Sequence, residues 1–508
     1  MQETNRRLML RNQVVSWGVC FLLFLHPLFL TDRYYNLTMS KSWFFICGVC
    51  LLTLIALILS FGTKRSKDFS KVEKGEAVLL AIWICMLVGA ACTLLLSEYK
   101  LEALTGMDGR WLGFLFYVAV FLLFLVCRRC FLLTEPVLLA YQLSAVFVMV
   151  FALLQRCGLD LFGLLAVVPA KQRAVFLSTV GNVNVFAGFL CVSVPVSLYL
   201  LVNGRRHPVY RVAAGLGAFA LLAADSDSGY IGLAAVVWLL VWTSFPAQEK
   251  LRRVCLLGAG FFAAALVYRL ALVCGLIRVE VGGLSFLLTR LPVALCGLVA
   301  AALLWLLLFK KNLSARVLRR GRVAFAVGSA LAVMVLGGAM VYVTVLHPAL
   351  PLGGLEPYLR MNGGWGSARG EIWSACAALY GKLPALQKLF GYGQDCLYYA
   401  LSDYAFDEMT RLQAVTDNAH NELLQYLVTT GAAGLAAYLA VVAVSLRRAA
   451  QQAKKDPLFG AVLFAAAGYL AQSVINISQA ITTPLFFTLL ILGSCRAANF
   501  APDSACNT

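Results

Sequence analysis

Stretches of about twenty apolar residues recur along the whole chain, and that repetition limits the fold more than any other feature. Each run is long enough to cross the roughly 30 Å hydrocarbon layer of a bilayer as a helix. Backbone in that layer must satisfy its own hydrogen bonds, which leaves helices or closed barrels. The runs are continuous rather than alternating, so they read as helices. Fourteen windows fit, at residues 14–31, 43–61, 77–97, 112–127, 136–154, 183–202, 212–225, 229–245, 254–273, 284–309, 323–346, 422–446, 458–475 and 480–495. The expected class is all-α: a polytopic membrane protein of about fourteen transmembrane helices with one large extracytoplasmic loop containing short helices. The N-terminal MQETNRRLMLRN followed by an apolar run has the look of a signal peptide, but FLLFLHPLFLTDRYY offers no small-x-small cleavage site, so the run is kept as the first span.

Composition agrees. The chain is 61% hydrophobic and only 13% charged, against about half and a quarter in soluble proteins. A net charge of +18 suggests nucleic acid in a soluble chain; here basic helix ends follow the positive-inside rule and nucleic acid is not expected. With the N-terminus inside, 27 of the 42 Lys and Arg fall on cytoplasmic segments, including TKRSKDFSKVEK, KKNLSARVLRRGR, RRAAQQAKK and Arg496. Both termini are then cytoplasmic and the long loop faces out. The 16 cysteines are scattered, mostly within apolar runs, and no CxxC pair has a second pair or histidines to complete a zinc site. They read as packing residues.

The division that follows is residues 1–346 for the first eleven spans, 347–421 for the extracytoplasmic loop, and 422–508 for the last three spans and a short cytoplasmic tail. Ordinary connections run about 4–6 residues, so a loop of this length needs a job. Within it, Arg369 opens RGEIWSACAALYGKL, where Ile372, Trp373, Cys376, Leu379 and Tyr380 recur at helical spacing up to Pro384. Later, Asp417 or Asn418 is the expected cap of a helix with His420 in its first turn. The positive helix end keeps such an imidazole neutral and able to take a proton near pH 7; Glu422 is a competing base. The outward-facing cations are Arg110, Arg173 and Arg369, whose planar forks suit a lipid phosphate or diphosphate.

Four stretches together resemble the O-antigen ligase / Wzy-type polymerase superfamily. LEALTGMDGRWLGFLFY, with Arg110, looks like that family's external glycine–arginine–aromatic–glycine turn. RAVFLSTVGNVNVFAGFL, with Arg173, Asn182 and Asn184, is similar to its arginine followed by an Asn-x-Asn helix entry. RGEIWSACAAL and LFGYGQD, with Arg369, Trp373, Gly391 and Gly393, resemble its loop arginine, tryptophan helix and Gly-x-Gly turn. AHNELLQYLVTTGAAGLAAYL, with His420, Asn421 and Glu422, resembles its terminal His-Asn-Glu helix. The resemblance covers roughly residues 97–495. It departs where the family often has proline (Val183 here) and where it often has Ser-Arg-Gly (Asp225-Ser226-Asp227-Ser228-Gly229 here).

The resemblance implies an inverting, metal-independent glycosyltransferase with no cofactor, in the cytoplasmic membrane of a bacterium. It implies a polyprenyl-diphosphate-linked glycan donor and a glycan, lipid or protein acceptor. His420 and Arg369 are the catalytic pair so implied. Arg110, Arg173, Asn182, Asn184, Trp373, Gly391, Gly393, Asn421 and Glu422 are the implied substrate-binding set, with the arginines on the diphosphate. Ligase-like transfer is favoured because the single large loop is late and precedes the His-Asn-Glu helix. A repeat-unit polymerase is the alternative, and a glycolipid transporter or flippase is the second.

Overall fold

The computed structural model describes residues 2–61, 74–411 and 416–495. Most of the basic run TKRSKDFSKVEK, together with Arg496, lies outside them. The described chain is an all-α polytopic bundle. Ten of its helices are long and apolar enough to cross a membrane, and the shorter apolar helices Phe114–Cys130, Pro208–Ala224, Pro457–Ser473 and Thr483–Ser494 fill the remaining expected windows.

Two expected spans are broken, each for a local reason. The window at 284–309 divides into Gly283–Thr289 and Leu291–Lys310, because Pro292 sits in the first turn of the second helix and cannot continue the first. The window at 422–446 divides into Glu422–Thr429 and Gly431–Ala453. Gly431 has φ +70°, and a Cβ there would stand 2.3 Å from the Leu389 carbonyl oxygen. The break lets the loop backbone press against the helix junction, which only glycine tolerates.

Val183–Val202 lies at the centre of the bundle, buried along nearly its whole length and packed by Pro208–Ala224, Asp227–Ser244 and Pro457–Ser473. Ala315–Val341 stands at the opposite extreme, with no buried residue. An apolar helix exposed all round is stable only against lipid. One bundle end carries ion pairs between helix termini: Arg128 and Arg448 on Glu76, each at 3.6 Å, and Arg205 on Glu135 at 3.0 Å. The other end carries the long loop.

The described loop residues, 347–411 and 416–421, cover that end and include several short helices. The expected RGEIWSACAALYGKL helix is present within Trp365–Lys382, which ends just before Pro384. Ile372, Ala375, Cys376 and Leu379 form its buried stripe, packing with Tyr392, Leu397, Leu401 and Val428 into a core separate from the bundle's. A two-stranded antiparallel hairpin, Phe176–Leu177 with Gly181–Asn182, lies at the same end.

Candidate active site at the loop end of the bundle

Three segments distant in sequence meet at Arg110. Its side chain is buried, and its Nε donates to Asp395 in a buried ion pair. Its Nη2 donates to Ser478 Oγ at 3.2 Å, and its carbonyl accepts from Ala480 N at 3.2 Å. The second carboxylate oxygen of Asp395 accepts from Met107 N (3.2 Å) and Leu112 N (3.1 Å), so one acid shapes the turn and holds the guanidinium. Burial acts to lower the Arg110 pKa, but Asp395 and Asp417 outweigh it and leave it raised. Nη1 is buried without a hydrogen-bond partner.

Arg369 is half-buried. Its Nε donates to the Ile475 carbonyl at 2.8 Å, and Nη1 donates to the Gly366 carbonyl. Burial lowers its pKa, opposed by Asp227. The aspartate that stands where the family often has arginine therefore faces this arginine electrostatically. Asp227 also accepts from Leu284 N at 3.4 Å, and Asp225 from Gly282 N at 2.8 Å. Among the described residues, no group of three or more His, Cys, Asp or Glu is placed to hold a metal.

His420 is not in a helix. Asn421 rather than Asp417 or Asn418 is the N-cap, its side chain accepting from Leu424 N at 3.0 Å. His420 precedes it with φ +46°, a left-handed conformation costing of order 1 kcal/mol or more outside glycine. Its N–H donates to Asn418 Oδ1 at 2.9 Å, and Trp373 Nε1 donates to the Ala419 carbonyl at 3.0 Å. Both contacts hold the turn in place. Nδ1 is buried and unpartnered. Burial pushes the imidazole down to about 4, and Arg369 and Arg110 act in the same direction. The ring is neutral at pH 7, as expected, but through burial and two neighbouring guanidiniums rather than a helix terminus.

Glu422 is buried, with Tyr469 Oη donating to its Oε1 at 3.1 Å. Gly391 and Gly393 are close-packed: a Cβ on Gly391 would stand 2.2 Å from the Thr429 carbonyl oxygen, and Gly393 N donates to that same carbonyl at 3.1 Å. The turn docks on the helix that follows His420 and delivers Asp395 to Arg110. Asn182 caps Val183–Val202 through Asn184 N at 2.8 Å. Asn184 accepts from Ser226 Oγ at 2.6 Å and, through its carbonyl, from Asn476 Nδ2 at 2.8 Å. Arg173 lies apart. Its side chain is exposed, and its Nε donates to Val168 of its own loop at 3.1 Å.

The geometry adds two features absent from the sequence reading. Asp395 is the acid that fixes Arg110. The turn at 474–482 is the shared mount, since Ile475 takes Arg369, Asn476 takes Asn184, and Ser478 and Ala480 take Arg110. The visible signal was the polar run Asn476-Ile477-Ser478-Gln479 between two apolar spans, where desolvated polar groups need partners.

The fold and site define a multi-pass helical membrane protein with a polar centre, at one bundle end, of a half-buried histidine on which two guanidiniums act electrostatically. Residues 279–439 match the family model described as Wzy_C, O-antigen ligase. Over this segment the chain is similar to the O-antigen ligase / Wzy-type superfamily, whose members are membrane glycosyltransferase-like enzymes. The match spans Arg369, Trp373, Gly391, Gly393, His420, Asn421 and Glu422, while Arg110, Arg173, Asn182 and Asn184 precede it. No curated protein matches the chain.

Proposed function

We propose that this protein transfers a glycan from a polyprenyl-diphosphate carrier to an acceptor hydroxyl at the outer face of a bacterial cytoplasmic membrane, in the manner of an O-antigen ligase. The observation that carries this reading is His420, neutral and with its Nδ1 unpartnered, within the electrostatic reach of Arg110 and Arg369. His420 takes the proton of the acceptor hydroxyl as its oxygen attacks the anomeric carbon. The bond from that carbon to the diphosphate oxygen breaks, and the configuration inverts. Arg369 and the spare Nη1 of Arg110 stabilise the charge growing on the departing diphosphate. Arg369 spends two donors on backbone carbonyls, and a mount of that kind aims the remainder of the fork without consuming its charge.

Glu422 and Asn421 position the helix behind the histidine, and Asn182 and Asn184 brace the mount from the bundle. Arg173, exposed and bonded within its own loop, is a contact for the approaching headgroup rather than for the reacting atoms. In this reading residues 347–421 form an extracytoplasmic catalytic loop, residues 1–346 and 422–508 are the membrane parts, and both termini are cytoplasmic, as the bias of basic residues supports. No step is assigned to a metal, and transfer is expected to be unchanged in chelator.

The test is the lipid-linked glycan pool of cells lacking the protein. Long chains stranded on the carrier support ligation. Stranded single repeat units instead assign polymerisation. A normal pool with both steps intact overturns glycan transfer and favours transport of a glycolipid.

A further inference from the structure

A cleft of about 410 Å³ opens in the loop layer beside the site, lined among others by Asn362, Trp365, Gly370, Trp373, Ser374 and Ala377. It falls in the size range of small-molecule sites, about 300–1,000 Å³. Two indoles form its wall, with centroids 5.5 Å apart and planes at 58°. Both indole N–H groups are already spent, Trp365 on the Tyr358 carbonyl at 3.3 Å and Trp373 on the Ala419 carbonyl at 3.0 Å. What remains is π surface, beside the polar side chains of Asn362 and Ser374.

None of the residues lining the cleft is charged, which disfavours a phosphate or carboxylate as occupant. The cleft lies in the long loop rather than along the spans, and its mixture of ring faces and amide and hydroxyl groups is unsuited to an acyl chain. A neutral, hydroxyl-rich ring with an apolar C–H face fits both features: the C–H face lies on an indole, and the hydroxyls meet Asn362 and Ser374.

The backbone is built to make this wall. Gly366, Ser367 and Ala368 are consecutively left-handed, with φ of 60°, 63° and 68°. Such a turn costs about 1–3 kcal/mol per non-glycine residue and persists only where its surroundings enforce it. It sets Trp365 back against Trp373. A Cβ on Gly370 would stand 2.0 Å from the Asn362 carbonyl oxygen, so glycine alone lets the segment close. Trp373 bonds the residue before His420, so the cleft and the base share one side chain.

We propose that the Trp365–Trp373 cleft is a saccharide subsite that holds a pyranose ring of one of the two glycan substrates next to His420. The inference rests on the proposed glycan transfer and deepens it. It is tested with full-length protein in detergent, using two variants that leave His420 and both arginines in place. Trp365→Ala removes a wall, and Ala377→Leu fills the cleft from an exposed helix position without removing a contact.

Transfer kinetics are measured with the lipid-linked glycan pool of the producing cells as donor and with their purified acceptor. Binding is followed separately by indole fluorescence, with the oligosaccharide released from that pool by mild acid. On the order of a ten-fold rise in one KM, with kcat near wild type, is expected for both variants, as loss of binding made equally in ground and transition states requires. Weakening against the donor assigns the ring to the donor glycan; weakening against the acceptor assigns it there. Unchanged KM for both substrates and unchanged fluorescence titration, in a wild-type protein that does transfer glycan, overturn the subsite and leave the transfer reading intact. Absence of transfer by wild type instead strikes that reading, and fluorescence quenching lost in both variants would still support saccharide binding.

Discussion

Two turns at the loop end each carry an arginine ahead of a membrane helix, and in sequence they look equivalent. The structure separates them. Arg110 is buried, ion-paired to Asp395 and tied to Ser478, and it acts electrostatically on His420. Arg173 is exposed, and its Nε bonds the carbonyl of Val168. A guanidinium out of water must be matched by fixed partners, whereas one in water needs none. Burial with a dedicated acid therefore marks the cation whose position the fold controls, and charge pattern alone does not.

The comparison can be broken at several points. The largest effect is expected at the base: His420→Ala should lower turnover about 10²–10⁴-fold, the usual span of general-base catalysis, with the protein at normal membrane level by immunoblot. Next is Asp395→Asn, which leaves Arg110 buried against a neutral partner. Breaking buried pairs costs about 3–5 kcal/mol, so a clear drop in the thermal midpoint in detergent and a loss of activity are expected together. Arg369→Lys keeps charge but loses the fork, and about a 10–100-fold loss of kcat/KM is expected. Arg173→Ala should stay within about three-fold, as for most exposed side chains; a loss as large as that of Arg369→Lys would abolish the distinction between the two turns.

Acidity sharpens the same point. With the His420 pKa near 4, kcat/KM should hold from neutral pH downward and fall only as pH drops through about 4, when the base is protonated. Removing a neighbouring positive charge makes protonation easier, so Arg369→Gln should move that acid limb to higher pH, whereas Arg173→Gln should leave it in place.

The spans were legible because apolar length is nearly sufficient in a bilayer, and each expected window holds an apolar helix within the described residues. The breaks at Arg290 and Thr430 were less visible, since Pro292 and Gly431 occur in runs otherwise apolar enough to continue. The tryptophan helix was legible from its 3.6-residue stripe. The position of His420 was not: four residues in TDNAHN can cap a helix, and tertiary contacts select Asn421. Nor could Asp395 be found, because its value lies in meeting Arg110 across 285 positions. The left-handed turn at 366–368 was hidden for a related reason, since Ser367 and Ala368 do not favour that conformation.

The most direct measurement compares the lipid-linked glycan pool in cells producing His420→Ala or Arg173→Ala in place of the wild type, at matched membrane levels. The account predicts carrier-bound glycan accumulating with His420→Ala and a wild-type pool with Arg173→Ala. A wild-type pool with His420→Ala would contradict it.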